Sequence, residues 1–299
     1  MIKCTTLPSG GFFFYIHSLY LRGIINHKSI KMKKIYSLLF GILSLTAFSQ
    51  DKMTFESATY LNNISIDQIP RFIELHKKFT DLSMGENRKI NGDWLFRHWY
   101  GSGHTFVIYQ QYETMEDYHS DGDIALSNIR NNINDIKDEE KKEVLKKEWQ
   151  EYRSFSNGHT DEIRGAYDST GFLTVENVNF DIPFVMSVGR YNSSGSWKKM
   201  GDSFFNWRIK PEVDNNVSIA GGVSYHYMGS GPEVEVWQAY NSLVDFATSV
   251  SNPSSDSSLS ESRKSFWSLA EGDHEDQIYL HIGHVDLNKG IFDLAGADK

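Results

Sequence analysis

Cysteine is almost absent from this sequence. Its 299 residues include one cysteine, Cys4, and only six prolines. A lone thiol cannot form an intramolecular disulfide, and Cys4 lies ahead of every regular pattern in the chain, which excludes thiol nucleophiles and cysteine-based metal sites from the folded part. The fold must therefore be held by its buried core. With 39% hydrophobic and 14% aromatic residues, the chain has ample material for one.

Basic residues are also scarce relative to acidic ones. The chain has 30 Lys and Arg against 39 Asp and Glu, for a net charge of −9. Residues 1–49 hold six of the basic residues and none of the acidic ones, so without them the net charge falls to −15. Phosphate backbones are bound through clustered Lys and Arg. We therefore expect no nucleic acid and no anionic lipid surface among the partners.

The sequence has no hydrophobic run at its start that is long enough to cross a bilayer. The apolar run Ile35–Leu45 is shorter than the roughly 20 residues that a spanning helix needs. It follows Lys33 and Lys34 and precedes Ala47-Phe48-Ser49, which is the pattern of a secretory signal peptide with its cleavage site. This segment predicts export and cleavage, and no membrane insertion of the mature protein.

The same segment predicts where the protein starts. Residues 1–31 have no helical or strand period, so we expect them to be a mis-called N-terminal extension and translation to begin at Met32. Residues 32–49 then form the signal peptide, and the mature protein begins at Gln50. We expect it in the periplasm or secreted.

An internal repeat organises the rest of the chain. The segment His98–Tyr118 returns as His226–Phe246 after a shift of 128 residues without a gap, and seven of the 21 paired positions are identical. Each copy has an aromatic run, a Gly-Ser-Gly turn and a second run that alternates apolar with polar residues, which is the pattern of a β-hairpin. The recurrence indicates a duplicated architecture.

The elements around the hairpin recur as well. A helix with an apolar face precedes each copy, and a helical region followed by a last strand comes after it. The two apolar faces have the same spacing: Ile69, Phe72, His76 and Phe79, then Trp197, Met200, Phe204 and Trp207. The helical region of the first copy runs from Thr114 to about Phe155. Each half is thus predicted to be a βαββαβ unit of the ferredoxin-like type.

These units predict an α+β fold of two tandem ferredoxin-like repeats, packed sheet to sheet as a pseudo-dimeric α/β barrel. The helices cover one face of each sheet, and the other sheet is the obvious cover for its second face. The expected boundaries are residues 50–167 for repeat 1, 168–181 for a linker, 182–288 for repeat 2 and 289–299 for a C-terminal tail.

The paired units, with an aromatic hairpin and a second helix ending in Trp149 or Trp267, resemble the dimeric α/β-barrel superfamily. That group includes antibiotic-biosynthesis-type monooxygenases, haem-degrading enzymes, chlorite-dismutase-like proteins and stress-responsive proteins. The resemblance implies a cavity between the two sheets and a monomer, because the repeat replaces a dimer. No catalytic signature of a member group matches this chain, so no catalytic residue is assigned.

The histidines of the two hairpins are candidate ligand-binding residues. His98, which shares a strand face with Trp94, has its counterpart in His226. Either both enter the inter-sheet cavity, as a haem ligand, a proton shuttle or a hydrogen-bond donor, or each bonds the backbone of its glycine turn. The neighbours of His98 are bulkier, with Trp94 among them, so we expect His98 to act on stability and His226 on ligand binding.

Two further repeated pairs are candidates for the same cavity. Gln110 and Tyr112 lie on one strand face, and Gln238 and Tyr240 lie at the matching positions of the second copy. Buried side chains of these types need hydrogen-bond partners. They either line a wet cavity or form a structural network across the two sheets.

The sequence leaves three functions open and predicts no metal site, since no histidines have the spacing of paired metal ligands. The first is an exported protein that binds a small apolar or aromatic molecule between its sheets. The second is a barrel-type oxygenase, either cofactor-independent or haem-dependent, with His98 or His226 as the working residue. The third is a non-catalytic interaction module. We expect no bound cofactor in the first, and haem is the cofactor that the second leaves open.

The export hypothesis has a direct test. N-terminal sequencing of the protein recovered from the outside of the inner membrane should find a start at or within a few residues of Gln50. Recovery of folded protein that still carries residues 1–31 would contradict both the start site and the export.

Overall fold

The computed structural model describes residues 51–101, 103–252 and 256–297. The expected N-terminal extension, 1–31, and signal peptide, 32–49, lie outside these residues. The segment Asp51–Lys299 forms a unit by itself. Within the described part of the chain, no helix combines the length and the apolar character needed to cross a bilayer.

The first half contains four strands and three α-helices. A short 3-10 turn, Ile66–Gln68, comes directly before the first of these helices. In chain order the elements are β1 Met53–Leu61, α1 Ile69–Ser83, β2 Ile90–Tyr100, β3 Phe106–Tyr112, α2 Met115–Asn134, α3 Glu139–Ser154 and β4 Thr160–Tyr167.

The second half begins after a short strand in the linker, β5 Leu173–Thr174. Its elements are β6 Val185–Ser193, α4 Trp197–Phe204, a π-helical turn Phe205–Ile209, α5 Lys210–Asp214, β7 Ala220–Gly229, β8 Val234–Tyr240, α6 Leu243–Ser251, a 3-10 turn Ser257–Leu259, α7 Ser260–Leu269, β9 Ala270–Asp286 and β10 Ile291–Leu294.

The strands form one large antiparallel sheet that closes on itself. Along the sheet the order is β9-β2-β3-β1-β4-β7-β8-β6, and β6 pairs back with β9. Two strands join the halves: β4 pairs with β1 and β7, and β9 pairs with β6 and β2. Within each half the order is the same, β4-β1-β3-β2 and β9-β6-β8-β7. The fold is therefore a mixed α+β barrel with helices outside.

Alternation along the strands divides the apolar side chains between three clusters. On β2, Leu95 points outward to a cluster under α1, α2 and α3, whereas its neighbour Phe96 points into the barrel. The barrel interior also holds Ala58, Val107 and Met186, and a third cluster lies under the helices of the second half. Burial of both sheet faces explains why these strands carry apolar residues at consecutive positions.

Two of the predicted elements differ from the structure. The helical region expected from Thr114 to Phe155 is broken between α2 and α3, because Asp138 adopts an extended conformation and its carboxylate accepts the backbone N–H of Lys141 as the N-cap of α3. The expected tail, 289–299, contains β10, which pairs with β9 and buries Phe292 beside α1. The expected tail therefore adds a strand next to β9 and the Phe292 side chain to the core of the first half.

The linker packs closely on β7 through a glycine. The backbone N–H of Val223 donates to the Thr170 carbonyl at 2.9 Å. A Cβ atom on Gly222 would lie 1.8 Å from the Gly171 carbonyl oxygen, an overlap that side-chain movement cannot relieve. Glycine at position 222 thus lets the linker lie directly against β7.

We expect Gly222→Ala to lower the free energy of unfolding by about 1–3 kcal/mol, because the linker backbone must move away from the strand. Urea denaturation followed by tryptophan fluorescence measures the change. Gly272→Ala is the matched control, since a Cβ on that strand glycine meets nothing within 4 Å. Equal stabilities of the two variants would contradict this packing.

Candidate functional site

The structure places four of the sequence-predicted site residues outside the barrel. Gln110 and Tyr112 point toward the helices of the first half, where Gln110 Nε2 donates to Asp93 Oδ2 at 2.7 Å and the Tyr112 hydroxyl donates to Gln110 Oε1 at 3.1 Å. They form a structural network with Asp93 on the outer face of the sheet.

The second pair behaves in the same way. Gln238 Nε2 and the Tyr240 hydroxyl both donate to Glu212 Oε2, each at 3.0 Å, on the helix side of the second half. The two networks are separate, so the expected bonding across the sheets does not occur. Both pairs face the helices, which the sequence could not predict, because period-2 alternation alone does not say which face of a strand points inward.

The two histidines have different surroundings. His226 Nε2 lies 3.2 Å from the Gly229 carbonyl oxygen, which is the turn-backbone alternative. His98 points into the barrel, where its ring lies 5.0 Å from His104 and 5.8 Å from Tyr279 between centroids. Its Nε2 is buried without a hydrogen-bond partner. The pair has therefore diverged, but His226 is the residue bound to its turn and His98 the one inside.

The neighbours of His98 determine whether a haem has room to bind there. An axial histidine needs an open slot for the macrocycle on the side of its ligating nitrogen. The rings of His104 and Tyr279 occupy the space beside His98, so the residues present do not fit a haem there. Among the described residues, no three or more His, Cys, Asp and Glu side chains are grouped so that they could hold a metal ion.

The most unusual feature of the interior is a row of charged and polar side chains that crosses the strands. Glu56 on β1 is paired in register with Gln111 on β3 and with Arg164 on β4. Farther around the barrel, Glu235 on β8 is paired with Arg190 on β6. The row thus joins strands of both halves at one level of the barrel.

Four members of this row form a buried ion network. Arg164 is completely buried and Glu162 and Glu235 are each 1% exposed. Both guanidinium groups, of Arg164 and Arg190, donate to Glu162. Arg190 Nε lies 3.1 Å from Glu235 Oε2, within ion-pair distance although not aligned as a hydrogen bond. Two cations therefore neutralise two anions, as burial of charge requires.

Polar neighbours accept further hydrogen bonds from the Arg164 guanidinium group. Its Nε donates to Ser224 Oγ at 2.9 Å, and its Nη2 donates to the Ser224 carbonyl at 3.2 Å. The Tyr109 hydroxyl lies 3.5 Å from Glu235 Oε1, which is a long contact. Most of the donors and acceptors of the network therefore have partners.

Glu56 is a fifth charge-bearing group at the same level. Burial is the main cause that raises its pKa, to about 8, and Glu235 raises it further. Arg164 and a hydrogen bond from Gln111 act in the opposite direction and only partly compensate. The carboxyl group is therefore mostly protonated at neutral pH.

Glu56 faces two adjoining hollows at one end of the barrel. The inner hollow has about 40 Å³ of free space and a mostly aromatic lining, and the outer one, with more polar groups, has about 360 Å³. Four residues line both: Glu56, Gln111, Phe172 and Trp237. Trp94, Phe96, Phe180, Phe184 and Met186 line the inner hollow. Trp94, on the inner hollow, and Tyr112, on the outer one, are thus the sequence-predicted residues that line this site, which we call the barrel mouth.

The other end of the barrel is polar. There a hollow of about 360 Å³ lies between the two glycine turns, lined by residues that include Tyr60, His104, Arg190 and Glu275. Burial lowers the pKa of His104 to about 4, so its imidazole is neutral at neutral pH. The interior therefore has an aromatic end and a polar end with the ion network between them.

Comparisons with known proteins agree with this geometry at the level of the fold. No protein-family model matches the chain, and no curated protein matches its sequence. By structure it is similar to an anthrone oxidase-like protein, with a TM-score of 0.51 and 12% identity over 83% of this chain and 98% of that one. A candidate monooxygenase from Lactobacillus acidophilus gives a TM-score of 0.49 and 6% identity over 82% and 97%.

The chain has the dimeric α/β-barrel fold. Identities this low show the fold alone, and a fold of this kind does not determine a reaction. The function of this barrel depends on the chemical groups in its interior.

Sequence reasoning missed the ion network of the barrel. Its signal was present: Arg164, Arg190 and Glu235 each stand in a strand between apolar or small residues, where charge is rare, and Glu162 lies two residues before Arg164 on the same strand. A charged residue on a strand buried on both faces needs a partner of opposite sign. These four residues, two of each sign, could have been grouped on that ground.

We expect Arg164→Met to lower the free energy of unfolding of the barrel by about 3–5 kcal/mol, because it leaves Glu162 with one guanidinium and the interior with an excess negative charge. The double variant Arg164→Met/Glu162→Gln restores the balance and should recover part of the loss. Urea denaturation measures both. A single variant as stable as the unsubstituted protein would contradict the network.

Proposed function

We propose that this protein binds a small apolar or aromatic molecule at the barrel mouth, inside its closed sheet. The observation that carries the proposal is the aromatic inner hollow, walled by residues such as Trp94, Phe96 and Trp237, which opens into a wider and more polar outer hollow. Ligand sites are typically apolar clefts with a few placed polar groups. Glu56 and Gln111 are those groups here.

The proposal includes the architecture and the compartment. The strands Phe106–Tyr112 and Val234–Tyr240 differ by the 128 residues of the sequence repeat, and the strand order is the same in both halves. This supports two tandem ferredoxin-like repeats in which a single chain stands in for a dimer, and hence a monomer. Export to the periplasm or the medium rests on the signal pattern of residues 32–49.

A second candidate function is general acid–base chemistry on the bound molecule. A carboxyl group with a pKa of about 8 is close to the pH at which proton transfer is efficient. The cofactor-independent oxygenase alternative would then depend on Glu56 rather than on His98 or His226. The haem-dependent form has no open slot beside His98. A pure interaction module would need no neutral carboxyl group in its interior.

Binding can be tested with 2-acetylnaphthalene as the probe, by equilibrium dialysis. We expect Phe172→Ala to weaken its affinity at least fivefold, because the phenyl ring lines both hollows and contributes apolar contact area. Trp99→Ala is the matched control: Trp99 is 45% exposed and Phe172 is 47% exposed, but Trp99 does not line the mouth. No saturable binding, or an equal loss in both variants, would refute the site.

A further inference from the structure

We infer that Glu56 selects the ligand of the barrel mouth: the site takes neutral aromatic molecules that carry a hydrogen-bond acceptor, such as a carbonyl oxygen, and rejects aromatic carboxylates. This inference rests on the proposed binding function and names the chemical class of its ligand. It comes from the position of Glu56, from the charges around it and from the O–H that a neutral carboxyl group carries.

The position is the junction of the two hollows. Glu56 lines both of them, next to the aromatic wall on one side and the polar outer space on the other. A ring lying against Trp94 and Trp237 would therefore bring a substituent on its outer edge to the Glu56 carboxyl group. A flat ligand with one polar edge fits this arrangement.

The surrounding charges leave Glu56 without a counter-ion. The groups that face it are Glu162 and Arg164 on β4, Glu235 on β8 and, beyond them, Arg190 on β6. Both guanidinium groups are occupied by the two carboxylates, and Arg190 also contacts Glu275 at 3.3 Å. Tyr109 and, at the outer rim, Asp168 bring no positive charge. The fifth carboxyl group is therefore held as the neutral acid.

The neutral acid offers one kind of hydrogen bond to a ligand. Gln111 lies directly opposite on β3, and its side chain acts on the Glu56 carboxyl group. A protonated carboxyl group carries one O–H, and an O–H needs an acceptor. A ligand carboxylate would add a charge beside Glu235, with both guanidinium groups already paired, which is unfavourable in a buried site.

Three probes of the same ring size separate these effects. They are 2-acetylnaphthalene, which has an acceptor, 2-ethylnaphthalene, which has the same shape without one, and 2-naphthoate, which is an anion. At pH 6.5 we expect the acetyl probe to bind about fivefold to tenfold more tightly than the ethyl probe, as one net hydrogen bond gives. We expect the naphthoate to bind most weakly.

The preference should depend on pH in one direction. Glu56 loses its proton as the pH rises through about 8, so at pH 9.5 the O–H donor is gone and the acetyl and ethyl probes should bind equally. Neither of these probes titrates in this range, so the change reports the protein. A preference that persists unchanged at pH 9.5 would overturn the assignment to Glu56.

Two variants complete the test, with circular dichroism to confirm folding. Glu56→Gln keeps an N–H donor without a proton to lose, so its preference for the acetyl probe should persist at both pH values. Glu56→Met has no donor and should bind both probes equally at both pH values. Equal binding of the two probes to the unsubstituted protein at pH 6.5 would overturn the inference and leave the binding site standing. If neither the acetyl probe nor the ethyl probe binds, the inference and the binding site are both refuted.

Discussion

The structure depends on charge neutrality inside a closed barrel. A sheet that closes on itself excludes water from its inner face, so every charge placed there has to meet its opposite. Arg164 and Arg190 meet Glu162 and Glu235, and strands from both halves contribute to the match. The network therefore spans the two halves, through the contact of Arg190 in the second half with Glu162 in the first.

Much of the architecture was predictable from the sequence because it is repeated. The shift of 128 residues that aligns His98 with His226 also aligns β3 with β8, and the strand order of a ferredoxin-like unit follows from the order of its elements. The break at Asp138 and the added strand β10 were not predictable in this way. The break depends on a local cap at Asp138, and β10 depends on the packing of Phe292 beside α1.

The site was less predictable, for a geometric reason. Sequence alternation places Gln110 and Tyr112 on one face, but the choice between the helix side and the barrel interior depends on the assembled sheet. The ion network joins Glu162 on β4 with Arg190 on β6, two strands that do not pair with each other, so the contact depends on closure of the barrel. Trp94 was a candidate because it shares a strand face with His98, and the structure places that face inside the barrel.

The neutral carboxyl group is the functional consequence of this balance. Five charge-bearing side chains share the interior level, two cations can neutralise only two anions, and Glu56 is the one that keeps its proton beside an aromatic hollow. The most direct measurement is a carbon-13 NMR titration of the glutamate side-chain carboxyl groups, with Glu56→Gln to assign the resonance. The account predicts a midpoint near pH 8 for Glu56. A midpoint near the ordinary glutamate value of about 4.3 would contradict it.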